Sequence, residues 1–330
     1  MVTDTPLLSV SDLYVSFPTP RGVVHALNGV SLEVHAGKLV GVIGETGCGK
    51  SVTARSVLGI LRPPGRIDSG SIRFQGEELL EMSERALAKV RGAQIGFIPQ
   101  DPIAALDPIL RIEDQFANVL RAHRPISRKR CRDLARVALE RAGIAGPDRV
   151  LRGYAHQLSG GMAQRVVIAI ATILDPTLVI ADEPTTGLDV TIQRQILDLI
   201  AQRFRTEKRT LLLVTHDLGV VAEYCDEIFV MYAGKVVESG AVQRVFGRPS
   251  HPYTRLLIES VELRRFDTGE ERPSGLLDLV NYARGCPYAS RCPLADDRSR
   301  SEAPEIRELD GRMVACHHAE EVLAGAAPRS

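Results

Sequence analysis

Residues 44–51, GETGCGKS, decide the fold of this chain, because they fit the phosphate-loop pattern of Gly, four residues, Gly, Lys and Ser or Thr. The apolar run Leu39–Ile43 precedes the loop, and residues 51–61 have a helical pattern. Glycines let the backbone curl until successive N–H groups face one concavity, at the positive end of a helix dipole. The sequence therefore predicts a strand, a nucleotide-binding loop and a helix, in that order.

Lys50 and Ser51 close this loop and carry its chemistry. In such loops the lysine ammonium reaches the β and γ phosphates, and the hydroxyl ligates Mg²⁺. The loop begins at Gly44. The backbone N–H groups predicted to face the phosphates are those of Gly47, Cys48, Gly49, Lys50 and Ser51. We therefore expect ATP and Mg²⁺ as ligands.

The composition of the 330 residues is typical of an ordinary globular protein, with 44% hydrophobic and 25% charged residues. Basic and acidic residues number 41 each, so the net charge gives no indication of nucleic-acid binding. The N-terminus lacks a secretory signal pattern, and runs such as 166–174 are far shorter than the ~20 apolar residues that span a bilayer. We expect a cytoplasmic chain whose membrane role depends on partner subunits.

Hydrophobic patterning divides the chain into strand-rich and helix-rich parts. It predicts antiparallel strands at 7–17 and 23–34, turn residues at 63–70 and a helical subdomain around 112–156. Strands and helices alternate from 177 to 238, which implies a parallel sheet with crossover helices. The fold class is therefore α/β.

Polar residues follow three of the predicted strands. Asp182 and Glu183 end the apolar strand that begins at residue 178, where Asp182 can hold Mg²⁺ and Glu183 can polarise a water in line with the γ-phosphate. The alternative, a helix N-cap, is disfavoured because the acids follow an apolar strand. His216 follows another strand as a γ-phosphate contact, and Gln100 follows a third, within reach of the metal or the attacking water.

Together, these motifs and their order resemble the ATP-binding subunits of ABC transporters over residues 7–250, about three quarters of the chain. LSGGM at 158–162 is similar to the family signature, and DEPTTGLD at 182–189 to the second nucleotide motif with its following loop. Gln100 corresponds to the Q-loop and His216 to the switch histidine. The resemblance further implies ATP contacts from Phe17, which stacks on adenine, and from Ser159, Gly160, Gly161 and Asp189.

The same resemblance implies an architecture and an assembly. The expected fold is a P-loop ABC ATPase with an antiparallel β-subdomain and a helical subdomain near 101–160, all within residues 1–250, followed by a small irregular extension at 251–330. Two ATP molecules would lie in a head-to-tail dimer, between the phosphate loop of one ATPase subunit and the signature of a second, homologous one. Two transmembrane permeases, an extracytoplasmic substrate-binding protein and a place on the cytoplasmic face of the membrane are also implied. No nucleic-acid partner is expected, because the net charge is zero.

The C-terminal segment has a narrower resemblance. HPYTRLL (251–257), GCPYASRCPLA (285–295) and VACHH (314–318) are similar to the extension of oligopeptide, dipeptide and nickel importer ATPases. That extension often carries four cysteines that bind an iron–sulfur cluster. The resemblance therefore implies a peptide-type importer.

This chain departs from the four-cysteine pattern. Cys286, Cys292 and Cys316 match three positions, but Ser299 stands where the other cysteine is expected. Three thiolates could hold a cluster or zinc with a histidine after Cys316 or an external ligand, or the three could be reduced thiols in a compact lobe.

The leading functional prediction is the ATP-hydrolysing subunit of a peptide importer. The same ATPase subunit could instead power the import of nickel, glutathione or an opine-like solute, because other subunits select the transported solute. A soluble ABC ATPase of DNA repair or of the ribosome is disfavoured by the single nucleotide unit, the zero net charge and the importer-like tail. The complete set of Lys50, Asp182, Glu183 and His216 argues against a non-catalytic subunit.

Overall fold

The computed structural model describes residues 5–264 and 285–325, with side chains given to 260 and from 285 onward. Two compact units make up the chain: unit 1 is Met1–Leu80 with Val214–Ser330, and unit 2 is Glu81–Leu213. Among the described helices, none has the length and apolar composition that a membrane crossing requires. The predicted boundary near residue 250 stays a prediction.

The described secondary structure follows the chain order below. The strands are β1 (Leu8–Thr19), β2 (Gly22–Val34), β3 (Leu39–Ile43), β4 (Arg66–Phe74), β5 (Glu77–Glu78), β6 (Ile95–Ile98), β7 (Leu178–Asp182), β8 (Thr210–Val214), β9 (Glu227–Tyr232), β10 (Lys235–Ala241), β11 (Arg307–Leu309) and β12 (Arg312–Val314). The helices are α1 (Lys50–Val57), α2 (Glu84–Val90), α3 (Pro102–Ala105), α4 (Ile112–His123), α5 (Arg128–Arg141), α6 (Pro147–Arg152), α7 (Gly160–Thr172), α8 (Val190–Thr206), α9 (Leu218–Tyr224), α10 (Val242–Gly247), α11 (Pro252–Arg264), α12 (Asp297–Ser301) and α13 (Ala319–Leu323).

Unit 1 contains an antiparallel sheet in the order β2-β1-β4-β5 and the strands β11-β12-β10-β9-β3. Strand β3 pairs in parallel with β9, Val42 opposite Phe229, and every β3 residue is buried, as expected for a strand covered on both faces. The predicted turn at 63–70 is wrong beyond Gly65, because β4 begins at Arg66. Pairing of Ser69 with Tyr14 of β1 outweighs the local turn propensity there.

Unit 2 combines short parallel strands with helices. Strand β6 pairs in parallel with β7, Phe97 opposite Ile180, and β8 lies beside β7. Helices α4, α5 and α6 lie within residues 112–156, where the sequence predicts helices, and the helical subdomain itself stays a prediction. A buried cluster anchors these helices and consists of Ala117, Leu120, Cys131 and Leu174.

The C-terminal extension is more regular at its start than the sequence pattern predicts. Helix α11 begins at Pro252, and the preceding His251 acts as its N-cap, because its Nδ1 accepts the Tyr253 N–H at 3.0 Å. Beyond it, residues 285–325 form a small lobe in which β12 pairs antiparallel with β10 of unit 1. The extension therefore continues a sheet of unit 1.

Candidate active site

The phosphate loop lies between β3 and α1, as predicted. Gly47 has φ +84° with nothing within 4 Å of a Cβ built there, whereas Gly49 has φ +107° and its Cβ would lie 2.6 Å from Leu27 Cδ2. A left-handed backbone conformation favours glycine, so it restricts the residue type at both positions. At Gly49 a side chain would also collide with its neighbours. The open space beside Gly47 leaves room for a phosphate group.

The Lys50 side chain is folded back onto this loop. Its ammonium donates hydrogen bonds to the carbonyl oxygens of Gly44 at 2.8 Å and Glu45 at 3.1 Å, and it lies 4.0 Å from Cys48 Sγ. Lys50 is only 5% exposed. Burial raises the pKa of the Cys48 thiol, although Lys50 opposes that shift. An incoming phosphate would exchange carbonyl contacts of the ammonium for charged ones.

His216 lies at the same sheet edge as the phosphate loop. The Thr215 N–H donates to the Val42 carbonyl at 3.1 Å, so the chain passes beside the end of β3 just before His216. His216 is exposed, and the following Asp217 caps α9 by accepting the Gly219 N–H at 2.8 Å. Unit 1 therefore brings the predicted switch histidine to the carboxyl end of β3.

In unit 2, the structure brings together Gln100 and Glu183. Gln100 Nε2 donates to Glu183 Oε2 at 3.1 Å, and the Thr186 hydroxyl donates to the same oxygen at 2.9 Å. Glu183 has φ +48°, a conformation that is uncommon for a residue other than glycine. Asp182, one residue earlier, is fully buried at the end of β7. Strand β7 thus delivers both acids to one edge, where two donors orient the Glu183 carboxylate.

The signature residues lie at the start of α7. Ser159 is its N-cap and accepts the Met162 N–H at 3.3 Å, while Gly160 and Gly161 form the first turn. A Cβ on Gly161 would lie 2.9 Å from Ile192 of α8, a helix that Asp189 caps by accepting the Ile192 N–H at 3.0 Å. The small glycines therefore let the two helix starts pack closely within unit 2.

Comparison with known proteins assigns the family. A family model described as ABC transporter matches residues 27–186, and one described as oligopeptide/dipeptide transporter, C-terminal region, matches 237–298. The chain is 43% identical over 322 residues to the probable peptide ABC transporter ATP-binding protein y4tR of Sinorhizobium fredii. The aligned residues make up 96% of each sequence. The chain belongs to the ABC transporter ATP-binding proteins.

One further relative supports the family assignment, and one solved structure supports the fold. The dipeptide transport ATP-binding protein DppD of Bacillus subtilis is 44% identical over 290 residues, 87% of each sequence. The dimeric post-hydrolysis structure of the ATP-binding cassette MJ0796 bound to ADP and Pi superposes with a TM-score of 0.65, covering 71% of this chain and 98% of that one. That structure is 24% identical and bears on the fold alone. The predicted P-loop ABC ATPase fold is confirmed.

The aromatic side chain predicted to stack on adenine lies in the β-subdomain of the ABC ATPase. Phe17 is partly exposed on β1, opposite Val24 of β2. A Cβ on Gly65 would lie 2.5 Å from the Phe17 ring, so this glycine packs directly against it. The adenine-stacking role of Phe17 stays a prediction.

The described residues of the C-terminal lobe do not supply the four thiolates that the resemblance to importer ATPases implies. Cys316 is buried and Cys286 and Cys292 are partly buried, all as free thiols. Ser299 donates to Asp296 Oδ1 at 2.8 Å and lies 3.2 Å from His318 Nε2. Within residues 5–264 and 285–325, no group of three or more His, Cys, Asp and Glu side chains is arranged to hold a metal ion. These residues do not fit a tetrathiolate site.

Some contacts around the motifs escape sequence reasoning. Thr186 lies inside the quoted DEPTTGLD segment, and its spacing from Glu183 was the available signal. Glu45, a position that the loop pattern leaves free, contacts Tyr253 and Arg291 of the extension. A separation of 246 residues between Glu45 and Arg291 leaves no local signal for that pair.

Proposed function

We propose that this chain is the ATP-hydrolysing subunit of a peptide importer, which it powers through ATP-driven closure of an ATPase dimer. The observation that carries the proposal is the coexistence of a phosphate loop and an extension of the oligopeptide/dipeptide transporter type in one compact unit. The peptide cargo follows the names of the two relatives above, both of which are peptide or dipeptide transport proteins.

Unit 1 supplies the groups that bind the triphosphate. Lys50 neutralises phosphate charge, the amides from Gly47 to Ser51 donate to phosphate oxygens, and Phe17 stacks on adenine. His216, at the carboxyl end of β3, contacts the γ-phosphate. The positive φ of Gly47 and the open space beside it support this assignment.

Unit 2 supplies the groups that act on the attacking water. Glu183 accepts the proton of a water aligned with the γ-phosphate, and Gln100 orients the Glu183 carboxylate. In unit 2, Gln100 and Asp182 would be ligands of Mg²⁺, and in unit 1 the Ser51 hydroxyl would be a ligand of Mg²⁺. When bound, Mg²⁺ would neutralise phosphate charge. The proposal includes no iron–sulfur cluster or zinc ion, because Ser299 and His318 contact each other and neighbouring acids.

Closure of the dimer requires partners. The Ser159 hydroxyl and the amides at the start of α7 form the second anion contact, on the ATP held by a homologous ATPase subunit. Two permeases would carry the peptide across the membrane and a binding protein would deliver it outside. The chain would therefore lie peripherally, on the cytoplasmic face.

The test begins with the tagged chain purified from its native membrane, followed by mass spectrometry of the proteins that resist a salt wash. We expect two permeases and a second ATPase, and the complex in proteoliposomes should take up a labelled dipeptide with ATP. Glu183→Gln should abolish uptake. The matched control is Glu140→Gln, which changes an exposed carboxylate paired with Arg136 and should leave uptake unchanged.

The same experiment separates the alternatives. Uptake of nickel or glutathione without peptide uptake would contradict the cargo and preserve the ATPase role. Recovery of ribosomal or DNA-repair proteins in place of permeases, with salt-sensitive binding to nucleic acid, would contradict transport itself.

A further inference from the structure

The C-terminal extension contacts the phosphate loop directly, at Glu45. The Glu45 N–H donates to the Tyr253 hydroxyl at 2.9 Å. The Glu45 carboxylate accepts two hydrogen bonds from Arg291, Nη1 to Oε2 at 2.9 Å and Nη2 to Oε1 at 3.0 Å. One loop residue is therefore held at its backbone and at its side chain, and the bidentate geometry fixes the carboxylate plane.

Both residues that hold Glu45 are themselves fixed in a tyrosine cluster, which consists of Tyr232, Tyr253 and Tyr288. The Tyr253 ring is fully buried, with its centroid 4.6 Å from that of Tyr232 and 5.5 Å from that of Tyr288. The Arg291 guanidinium lies 5.8 Å from the ring centroids of both Tyr232 and Tyr288. Little rotamer freedom remains to be lost when these groups hold the loop.

The contact acts on the residue that also holds the catalytic lysine. Lys50 donates a hydrogen bond to the Glu45 carbonyl oxygen, and this bond must break when Lys50 binds a phosphate. The position of Glu45 therefore affects how readily Lys50 is released. A carboxylate in the phosphate loop also repels an anionic ligand. Arg291 neutralises that charge, and the pKa of its guanidinium is raised by the hydrogen bonds to Glu45.

The tripeptide His251-Pro252-Tyr253 gains a physical role from this geometry. His251 caps α11 and Pro252 occupies its first position, so the helix start presents Tyr253 to the loop. Arg291 reaches the same loop residue from between Cys286 and Cys292. Two separate parts of the extension thus converge on Glu45.

We propose that Tyr253 and Arg291 are positioning residues of the nucleotide site, and that the C-terminal extension sets ATP affinity by holding the phosphate loop through Glu45. This inference rests on the proposed ATP-binding function. It gives the extension a task at the nucleotide itself, in addition to any role in recognising partners.

The test measures binding of a fluorescent N-methylanthraniloyl ATP to the full purified chain, with Mg²⁺. We expect Arg291→Ala to raise the Kd about fivefold to tenfold. Arg291→Lys should retain part of the affinity, because an ammonium keeps the positive charge but cannot form the bidentate pair of hydrogen bonds with the carboxylate. In the assembled ATPase, the KM for ATP should rise with kcat nearly unchanged. The matched control is Arg307→Ala, in the same lobe, where Arg307 pairs with Glu320 at 2.6 Å and should leave the Kd unchanged.

A double-mutant cycle distinguishes positioning from general destabilisation. Glu45→Gln removes the charge that Arg291 neutralises, so Arg291→Ala should have a smaller effect in that background. Tyr253→Phe keeps the buried ring, removes the acceptor for the Glu45 N–H, and should raise the Kd without lowering the unfolding temperature by more than the control does.

The outcomes separate this inference from the function on which it rests. Wild-type chain that fails to bind the nucleotide would contradict the proposed function. Wild-type binding with an unchanged Kd in Arg291→Ala and Tyr253→Phe, or with equal losses in both Glu45 backgrounds, would overturn the positioning role alone.

Discussion

The side-chain amide of Gln100 donates a hydrogen bond to the carboxylate of Glu183, with 3.1 Å between Nε2 and Oε2, although 83 residues separate them. The predicted Q-loop residue and the predicted base therefore form one hydrogen-bonded pair in unit 2. Thr186 donates to the same Glu183 oxygen at 2.9 Å. Two donors on one oxygen restrict the orientation of the carboxylate that is to accept a proton.

Gln100 and Glu183 should act as a unit in ATP turnover. Glu183→Gln should retain ATP binding and lower kcat about 100- to 1,000-fold, since the amide cannot accept the proton of the water. Gln100→Ala should lower kcat less, and its effect should be smaller in the Glu183→Gln background, because the carboxylate that it orients is gone and only its part in holding Mg²⁺ remains to be lost. Steady-state ATPase assays check this. Full additivity of the two losses would contradict a shared role.

Gly47→Ala should separate backbone strain from ligand contact. The alanine would adopt φ near +84° at a cost of about 1–2 kcal/mol, and its methyl group would occupy the predicted phosphate cradle. ATP binding should therefore be lost. Gly146→Ala is the matched control, because Gly146 also has positive φ, +67°, and open space around a Cβ, yet lies in unit 2 outside the motifs. We expect the two variants to lose similar amounts of unfolding free energy. Only Gly146→Ala should still bind ATP.

Arg312→Leu should destabilise unit 1 strongly. Arg312 is 3% exposed, lies 3.7 Å from the fully buried Glu238, and donates to the Arg244 carbonyl at 3.1 Å. Its removal leaves a buried carboxylate without its nearest cation, which costs about 3–5 kcal/mol. Urea unfolding measures this change. Arg298→Ala breaks an exposed pair with Glu302 and should cost less than about 1 kcal/mol; similar losses for the two variants would contradict the argument.

His251 should make the stability of the chain depend on pH. Burial lowers the pKa of His251 to about 3, and its Nδ1 accepts the Tyr253 N–H, which requires the neutral ring. Below pH 6.5 the unfolded chain binds a proton that the folded chain does not, so stability is present above this pH and is lost as the pH falls towards 3. The loss is about 1.4 kcal/mol per pH unit over that range.

The variant His251→Asn isolates this contribution. Asparagine keeps a side-chain acceptor at the cap position and does not titrate. Unfolding free energies at pH 7.5 and 5.5 should therefore fall more for the wild type than for the variant. Parallel pH dependence in the two proteins would show that His251 is not buried in its neutral form.

Metal analysis should find no stoichiometric iron or zinc in the chain purified without oxygen. Ser299 stands where the resemblance leads us to expect a fourth cysteine. Its hydroxyl contacts Asp296 and His318, and His318 Nδ1 lies 3.0 Å from Glu321. Ser299→Cys would supply the fourth thiol, so it is the matched variant for reconstitution with iron and sulfide. A full complement of iron and inorganic sulfide in the wild-type chain would contradict this expectation.

The sequence by itself determined the phosphate loop, the order of strands and helices around it, and the family. These features depend on residue types at short spacing, such as the glycines near Lys50 and the apolar run before Asp182, which dictate local conformation. Local pattern was insufficient at β4, where pairing with β1 overrides turn propensity, and at α11, where the Tyr253 hydroxyl meets the loop.

Only the tertiary structure decided which distant side chains meet. Gln100 with Glu183, and Arg291 with Glu45, are pairs whose members lie 83 and 246 residues apart. Such contacts depend on how all the intervening elements pack, and no period of two or 3.6 residues encodes that packing. The sequence therefore predicted the residues for nucleotide binding. The contacts of the C-terminal extension with the phosphate loop are visible only in the packing of unit 1.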